Sequence, residues 1–293
     1  MKKNIVLGII LLLLIVAGYL YNGPIKKLRQ DSLKPENLFA KLQTENIDKI
    51  EVNNISILKK GDLWQVQGKK DFKASPSKIS LALERLDEAK NSDVDLVGNN
   101  KEKKDVFNTG KNGTEVKLYN GKNLLLDFII GKPTDGSYVS RANSAETYKI
   151  IGVDLNSAFE GVEWRDETIV SIDKEKINKL RIQLKDAEYS IEKKNGEWFA
   201  GAVKLNKEKV TKIVELVSNL RANEIPEQDF LPTGLDKSSV IVQATGEGIN
   251  STVMVANDNG KEMYYAKNAE NDSIYLISKE DREGLNKKLD QLK

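Results

Sequence analysis

The sequence predicts an α+β protein: two tandem similar modules of mainly antiparallel β-sheet with packed helices, after one N-terminal transmembrane helix. Three observations lead to this prediction. The chain begins with an apolar run that carries no charge, from Ile5 to Tyr21. Short segments of alternating apolar and polar residues follow, separated by Gly and Asn turns, as is typical of antiparallel strands. One order of landmarks then occurs twice, from Ile47 and again from Ile177, which indicates an internal repeat.

The composition fits a folded protein with a highly charged surface and excludes several kinds of chemistry. Charged residues make up 31 % of the 293 residues, but 46 basic and 44 acidic side chains nearly cancel. The chain has no His and no Cys. Ser-His-Asp and Cys-His catalysis is therefore impossible, and zinc, copper, haem and iron–sulfur sites lose their commonest ligands. We expect a non-enzymatic protein with no cofactor and no catalytic, cofactor-binding or metal-ligating residue.

The lysine pairs do not indicate a nucleic-acid partner. These pairs are residues 59–60, 69–70, 103–104 and 193–194. They are dispersed along the sequence, are offset by acidic residues and are expected to fall mostly on turns. A basic surface that binds nucleic acid instead collects its charges on one face.

The apolar run is predicted to be an uncleaved membrane anchor. As a helix, Ile5–Tyr21 is about 26 Å long, at the short end of what crosses a bilayer. Tyr19 and Tyr21 lie where interfacial aromatic residues belong. The alternative is a cleaved signal peptide, but the residues from Val16 to Tyr21 offer no clean small-x-small cleavage site.

The charges that flank the anchor favour opposite orientations. Lys2, Lys3 and the α-amine favour a cytoplasmic N-terminus, whereas Lys26, Lys27 and Arg29 flank the other end. A charged tail of three residues is a poor candidate for export. We therefore predict a single-pass protein of the cell membrane whose bulk is extracytoplasmic, on the periplasmic or cell-surface side.

These patterns divide the chain into five segments. They are the transmembrane anchor (1–24), a linker and short helix (25–46), the first α+β repeat module (47–162), a connector (163–176) and the second α+β repeat module (177–293). The short helix is predicted from Pro35 near its first turn and from one apolar face formed by Leu38, Phe39 and Leu42.

Each module is predicted to begin with an alternating strand and a hairpin that leads to a tryptophan. The strands are Ile47–Val52 and Ile177–Ile182. Turns that contain Gly then precede Trp64 and Trp198, which are about 130 residues apart. Because the two tryptophans occur at equivalent points, we interpret them as core residues rather than as stacking platforms for a sugar or a base.

A helix, four strands and a terminal helix complete each predicted module. The first helices begin at Ser75-Pro76 and near Asn206, which carry N-cap or first-turn signals. The strands are Val116–Tyr119, Leu124–Ile130, Tyr138–Ser140 and Thr147–Ile150 in the first module, and Val240–Gln243, Thr252–Val255, Tyr264–Ala266 and Ile274–Ile277 in the second. The terminal helices are predicted near Val153–Phe159 and Lys279–Leu292.

Together, these landmarks resemble the domain-of-unknown-function 4340 family over about Ile47 to Phe230, and by repetition over the rest. The motifs that carry the resemblance are Gly61–Trp64, Asn195–Trp198, Phe107–Gly110, Ile130–Lys132, Tyr138–Arg141, Tyr148 and Trp164–Asp166. The resemblance implies one N-terminal membrane segment and a protein partner in an ABC-type transport system of the gliding-motility auxiliary kind. It carries over no catalytic or ligand residue. Pro133 departs from the family pattern and leaves only the turn part of that motif comparable.

Two loops have features of ligand-binding motifs, and both are predicted to be turns. A phosphate loop needs a Gly five residues before its Gly-Lys pair and a Ser or Thr after it. Gly131-Lys132 has Leu126 and Pro133 at those positions. Asn257–Gly260 is rich in oxygen ligands but lacks the spacing and the closing Glu of a calcium loop, so we expect a hairpin turn.

Four acidic residues at the junction of the modules are the best enzymatic candidates. They are Glu160, Glu163, Asp166 and Glu167. Two carboxylates at suitable separation would serve glycoside hydrolysis. Because Trp164 and Ile169 flank the group, a short amphipathic segment with a solvated acidic face is the simpler interpretation.

These observations predict a membrane-anchored extracytoplasmic non-enzymatic accessory or interaction protein, part of or auxiliary to a membrane assembly. An ABC-type transporter is implied by the resemblance alone. Two alternatives stay open: a carboxylate-based glycan-active hydrolase, and a small-ligand-binding module with a pocket between the two modules. Acids with strongly perturbed pKa values in a pocket would favour the hydrolase, whereas an exposed apolar patch on a module edge would favour the accessory protein.

Overall fold

The computed structural model describes residues 35–229 and 233–293. The predicted transmembrane helix, most of the linker that follows it and residues 230–232 of the second predicted turn lie outside the described residues. Within the described ranges, no helix combines the length and the apolar composition that crossing a membrane requires.

The described residues form two antiparallel sheets with a few helices, which confirms the predicted α+β class. The strands of the first sheet are β1 (Lys49–Val52), β2 (Ile55–Lys60), β3 (Leu63–Val66), β4 (Phe72–Lys73), β5 (Val94–Gly98), β6 (Thr114–Asn120), β7 (Asn123–Thr134), β8 (Gly136–Arg141) and β9 (Thr147–Ile151). Those of the second are β10 (Ile177–Leu184), β11 (Glu188–Lys194), β12 (Glu197–Ala200), β13 (Val203–Lys204), β14 (Val240–Gly246), β15 (Ile249–Asp258), β16 (Tyr264–Asn268) and β17 (Tyr275–Ile277). The α-helices are α1 (Pro76–Asn91), α2 (Lys101–Phe107), α3 (Asn156–Phe159), α4 (Lys207–Ser218) and α5 (Lys279–Leu285).

The two sheets share one strand order. The first runs β4-β3-β2-β1-β6-β7-β8-β9-β5, and the second runs β13-β12-β11-β10-β14-β15-β16-β17. In both sheets, strands joined by hairpins extend from one side of the first strand, β1 or β10. A second series of strands joined by hairpins begins on its other side, with β6 or β14. β5, which pairs with β9, has only a partial counterpart in the described part of the second sheet, an isolated antiparallel bridge between Glu224 and Leu276 of β17.

Alternation in the sequence predicts the strands, and burial follows it. In β1, Ile50 and Val52 are buried, whereas Lys49 and Glu51 are partly exposed. The strands predicted after the first helix of each module are all present, most of them longer than predicted. The helix predicted at Ser75-Pro76 is α1, which buries apolar side chains at helical spacing.

The prediction of a short helix near Pro35 is wrong. Residues 38–41 form a turn, and a 3-10 helix follows at Thr44–Asn46. The Asn37 side-chain Oδ1 accepts a hydrogen bond from Phe39 N at 2.9 Å, a local bond that competes with helix formation. The apolar residues of this segment, Leu38, Phe39 and Leu42, are nevertheless buried.

The chain divides into two compact units. The first comprises the described residues up to Trp64 together with Pro76–Glu163, and the second comprises Gln65–Ser75 and Trp164–Lys293. In the first unit, the Phe128 ring of β7 meets Phe39 edge to face with centroids 5.0 Å apart, and meets Phe159 at 6.4 Å. These buried pairs hold the 38–41 turn and α3 on β7, the strand that forms the candidate site described below.

Gln65–Ser75 belongs to the second unit, although it lies within the predicted first module. Phe72 of β4 is buried in the core of the second unit and meets Tyr275 edge to face at 5.7 Å. Ala74 forms a β-bridge with Arg165. Apolar packing and main-chain pairing thus fix this short segment in a core that is distant from it in sequence.

The two tryptophans of the repeated hairpins differ in burial. Trp198 is 4 % exposed and lies in the core of the second unit, whereas Trp64 is only partly buried. The interpretation of both as core residues is therefore confirmed for Trp198 and wrong for Trp64. The reason is local: β12 packs against α4, whereas β3 contains no fully buried residue.

Candidate functional site

Asp166 is buried, which corrects the prediction that the four acidic residues form a solvated face. Its Oδ2 lies 2.8 Å from Lys73 Nζ, and its Oδ1 accepts a hydrogen bond from Thr168 N at 3.1 Å. Burial raises the pKa of Asp166, but the hydrogen bonds from Lys73 and Thr168 outweigh it and hold the pKa below its usual value. The carboxylate is therefore ionised at neutral pH, and it fixes β4 within the second unit.

The four acidic residues are divided between the two compact units. Glu160 and Glu163 belong to the first unit, and Asp166 and Glu167 to the second. Glu160 is exposed, and Glu167 Oε2 lies 3.4 Å from Arg221 Nη2. A general acid in a glycoside hydrolase needs a raised pKa, which is the opposite of the shift at Asp166.

Gly131-Lys132 lies in strand β7 rather than in the predicted turn. The strand continues to Thr134, and the turn falls at Asp135. A Cβ atom on Gly131 would collide with the main-chain oxygen of Phe107 at the end of α2. The Lys132 Nζ lies 5.8 Å from the Phe107 ring centroid. Close packing against α2 therefore explains the glycine.

The predicted hairpin turn at Asn257–Gly260 is confirmed in part, because Asn259 and Gly260 lie in the connection between β15 and β16, whereas Asn257 and Asp258 end β15. Asn259 Oδ1 accepts hydrogen bonds from Lys261 N at 2.8 Å and Met263 N at 3.3 Å. Asp258 Oδ1 accepts one from Gly260 N. Main-chain donors thus bind Oδ1 of both Asp258 and Asn259, as is typical of a tight connection between strands.

The described acidic residues form no group that could hold a metal ion, and the four lysine pairs lie on different elements. Among residues 35–229 and 233–293, no three His, Cys, Asp or Glu side chains are grouped so that they could hold a metal ion. The expectation that the lysine pairs fall mostly on turns is wrong. Pair 69–70 lies in the connection between β3 and β4, but pairs 59–60 and 193–194 are the last residues of β2 and β11, and pair 103–104 lies in α2.

Two adjoining clefts open along the beginning of β7, in the first unit. Each has a volume of about 380 Å³. The first lies between the β6–β7 hairpin and the segment 36–46, and the second lies between Leu124–Asp127 and Arg141–Ser144. Leu125, Leu126 and Arg141 line both. We call the two together the β7 cleft.

The β7 cleft exposes two consecutive leucines. Leu124 is 51 % exposed and Leu125 is 40 % exposed, whereas Leu126 is 6 % exposed. Leu126 pairs with Leu118, but Leu124 pairs with Tyr119, so Leu125 is an extra residue that forms a β-bulge. Because a bulge interrupts the alternation of side chains, both neighbouring leucines reach the surface.

A cation and a carboxylate lie beside these leucines. Arg141 is exposed, and its guanidinium makes no ion pair with the residues that the structure describes. Asp127 Oδ1 is buried and has no hydrogen-bond partner in the described part of the chain, and burial raises the pKa of Asp127. The cleft therefore places an exposed guanidinium next to an apolar surface, with a buried carboxylate beside them.

Asn37 fixes the wall of the β7 cleft. Its Nδ2 donates to Ala89 O at 2.7 Å and to Ser92 O at 3.1 Å, at the end of α1. Carbonyl groups at a helix C-terminus lack partners within the helix, so this amide satisfies them. Farther along the wall, Lys41 lies 2.9 Å from Glu36 and lowers the pKa of that carboxylate, with a smaller effect from Arg141. The wall is thus held in place by the fold itself.

The sequence predicts strand β7 but not the cleft that opens along it. Apolar residues in a strand predict burial, and Arg141 is marked in the sequence only by the motif Tyr138–Arg141. The exposure of Leu124 and Leu125 depends on the pairing register with β6, which is a long-range property. One signal was present: three consecutive leucines do not fit the alternation of a strand with one buried face.

A family model described as Domain of unknown function (DUF4340) matches residues 64–238. No curated protein and no solved structure matches the chain. The matched residues include β7, β8 and Arg141, but not the segment 36–46 that walls the first part of the cleft.

Proposed function

The chain belongs to the DUF4340 family, and we propose that it is a membrane-anchored extracytoplasmic accessory protein without enzymatic activity. Its role is to bind a protein partner, as part of or auxiliary to an ABC-type transport assembly. The observation that carries the proposal is the exposed pair Leu124 and Leu125 in the β7 cleft. Exposed apolar side chains that are rimmed by polar groups are typical of interaction surfaces.

The leucines supply enough free energy to matter in binding. Complete burial of a leucine side chain stabilises a complex by about 1.5–3 kcal/mol. Leu124 and Leu125 are about half exposed, so covering them contributes about 1 kcal/mol each, or about 2 kcal/mol together. That corresponds to about thirtyfold in the dissociation constant.

The position of the cleft in the sequence supports a partner at the membrane. The proposed anchor ends at residue 24, and Glu36 already lines the cleft. At most about 3.5 Å per residue separates these two points along the chain. A partner bound in the cleft is thus tethered to the bilayer by a short linker, as expected for a subunit of a membrane assembly.

We further propose that the two sheets descend from one duplicated module. The shared strand order supports this proposal. So does a matching detail: Ala142 N donates to Asp127 O in the first sheet, and Ala269 N donates to Thr252 O in the second. In both sheets the donor is the first residue after a strand, β8 or β16, and the acceptor lies in the longest strand of the sheet, β7 or β15.

A second candidate is a small-ligand-binding module. The volume of about 380 Å³ for each part of the cleft lies within the range of small-molecule sites. The ligand would bind in the β7 cleft, which lies within the first unit. A hydrolase is disfavoured because Asp166, the buried acid of the predicted group, is held ionised by Lys73.

Affinity purification of the full chain from mild detergent extracts tests the proposed function. The wild-type protein is expected to co-purify with a multi-span transport subunit and its ATPase. The variant Leu124→Asn/Leu125→Ser removes the apolar surface and is expected to lose at least nine-tenths of that partner. The matched control is Leu63→Asn, because Leu63 is 56 % exposed and does not line the cleft.

Two results would contradict the proposal. One is recovery of the same transport subunits with the double variant and with wild type. The other is the absence of any transport subunit from the wild-type complex. Melting temperatures and membrane levels of all three proteins must agree, which is expected because each substitution is at an exposed position.

A further inference from the structure

Strand β7 has an open edge where the β7 cleft lies. β7 is 12 residues long, but its pairing with β8 begins only at Phe128, opposite Arg141. One further bond joins Ala142 N to Asp127 O at 3.4 Å. Beyond it, Asn123–Leu126 pair with β6 on one side, and no strand in the described part of the chain pairs with them on the other. This open edge is about 13 Å long.

The second part of the cleft runs along this open edge. Leu124–Asp127 form one side of it, and the residues that leave β8, Arg141–Ser144, form the other. Lys104 Nζ donates to Ser144 O at 2.7 Å, and this bond holds the departing chain. The result is a slot in line with β8, at the place that a longer β8 would fill.

The second sheet has a comparable edge at the beginning of β15. There, β16 pairs with β15 from Val253 onward, and Ala269 N bonds to Thr252 O at 2.8 Å. The residues of β15 beyond that bond are Ile249, which is partly buried against the core, Asn250, which is exposed, and Ser251, which is buried. This edge therefore does not expose two adjacent apolar side chains, so the shared strand order does not demand exposed leucines at the first edge.

We propose that this slot takes an extended segment of the partner protein, which adds to β7 as a further strand in line with β8 and carries an acidic side chain toward Arg141. This inference rests on the proposed function and names the kind of partner. Main-chain hydrogen bonds to Asn123–Leu126 give affinity, and apolar side chains on Leu124 and Leu125 give specificity. The guanidinium of Arg141, which has no ion pair within the described residues, binds the carboxylate of the segment.

Charge argues against the linker of this chain as the occupant. Residues 25–34 contain Lys26, Lys27, Arg29 and Lys34 but a single acid, Asp31. A predominantly basic segment is repelled by Arg141, whereas an acidic partner segment is attracted to it. A second copy of the chain and a small ligand are the other possible occupants, and the test below separates them.

The probe is a phage-displayed library of random heptapeptides, panned against the full chain in lipid nanodiscs. The double variant Leu124→Asn/Leu125→Ser serves as the counter-target, and Leu63→Asn as the matched control. Peptides with alternating apolar residues and one Asp or Glu are expected to be enriched on wild type and on the control, but not on the double variant. An enriched peptide is then synthesised in three forms. The first is unmodified, the second carries N-methyl groups on alternate main-chain nitrogens, and the third has its acidic residue replaced by the corresponding amide.

Each mode of binding leaves a distinct result. Strand addition predicts slower hydrogen exchange at Asn123–Asp127 when the peptide binds, and at least a tenfold loss of affinity on N-methylation. Arg141→Gln is expected to weaken the acidic peptide about tenfold and its amide form by less than twofold. The inference is overturned by failure to enrich any peptide, by enrichment without acids, by unchanged exchange at these amides, or by a dimer of the chain that forms through this edge.

The failure of this inference is distinguishable from failure of the proposed function. If transport subunits co-purify in a manner that depends on Leu124 and Leu125 but no peptide adds as a strand, the partner binds by another geometry. If no transport subunit co-purifies with wild type, the proposed function is wrong whatever the peptides do.

Discussion

Replacing Phe72 with Ala is expected to destabilise the second compact unit, even though the chain on both sides of Gln65–Ser75 belongs to the first. Phe72 is 4 % exposed, and its ring meets Tyr275 edge to face at 5.7 Å. It belongs to the same buried cluster as Ile182 and Val242, at the centre of the second sheet. The substitution therefore removes a large side chain from a core that the rest of its hairpin does not share.

The magnitude follows from the burial of this ring. Deleting a buried Phe side chain costs about 3–5 kcal/mol, of which the edge-to-face contact with Tyr275 accounts for about 0.5–1.5 kcal/mol. β4 contains only two residues, so its backbone relaxes more easily than that of a long strand. We expect a loss of about 3 kcal/mol at the low end of this range. Phe72→Leu keeps most of the volume and is expected to cost less than about 1.5 kcal/mol.

Native-state hydrogen exchange on the full chain in detergent measures this loss separately for each unit. Phe72→Ala is expected to reduce the protection of β10 and β14 by about a hundredfold, because 1.4 kcal/mol corresponds to a factor of ten. The protection of β6 and β7 is expected to stay within about threefold of wild type. Loss of protection in β6 and β7 with no change in β10 and β14 would refute the assignment of Gln65–Ser75 to the second unit.

Three further predictions concern burial, charge and topology. Trp198→Ala is expected to lower the free energy of unfolding by about 3–5 kcal/mol and Trp64→Ala by less than about 2 kcal/mol, because Trp198 is buried and Trp64 is only partly buried. Equal shifts of the two urea midpoints would contradict this difference. Asp166→Asn is expected to cost about 1–2 kcal/mol at pH 7. Because the pKa of Asp166 is lowered in the folded state, its contribution is complete above the unfolded value of 3.8 and disappears as the pH falls through the folded pKa. Urea titrations of wild type and variant should therefore converge at low pH, and a constant gap would refute the ion pair. Protease added to intact spheroplasts is expected to degrade the chain beyond Pro24, and full protection would reverse the proposed orientation.

The strands could be predicted because their information is local. Alternation of apolar and polar residues marks β1 and β10, and turns that contain Gly or Asn mark the hairpins. By contrast, β5 and α2 were not predicted. The buried fraction of β5 is small, and α2 buries no residue, so neither carries a clear apolar pattern. The unit to which Gln65–Ser75 belongs depends on contacts with residues about two hundred positions away, such as Phe72 with Tyr275.

The candidate site could not be predicted from the sequence because it also depends on long-range contacts. The exposure of Leu125 follows from a one-residue shift in the pairing of β6 with β7. The open edge at Asn123–Leu126 follows from the point at which β8 ends. Both are properties of strand register, which sequence patterns specify weakly for short segments. Likewise, the burial of Asp166 requires Lys73 from a distant part of the chain, whereas its sequence neighbours suggested a solvated face.

Photo-crosslinking in intact cells tests most directly whether the β7 cleft binds a partner. A photoreactive phenylalanine derivative replaces Leu125 in one protein and Leu63 in a control, and both positions are exposed, at 40 % and 56 %. We predict that position 125 crosslinks to a subunit of a membrane transport assembly and that position 63 does not. No crosslink from position 125 at a normal membrane level of the protein, or equal yields from both positions, would contradict the proposal.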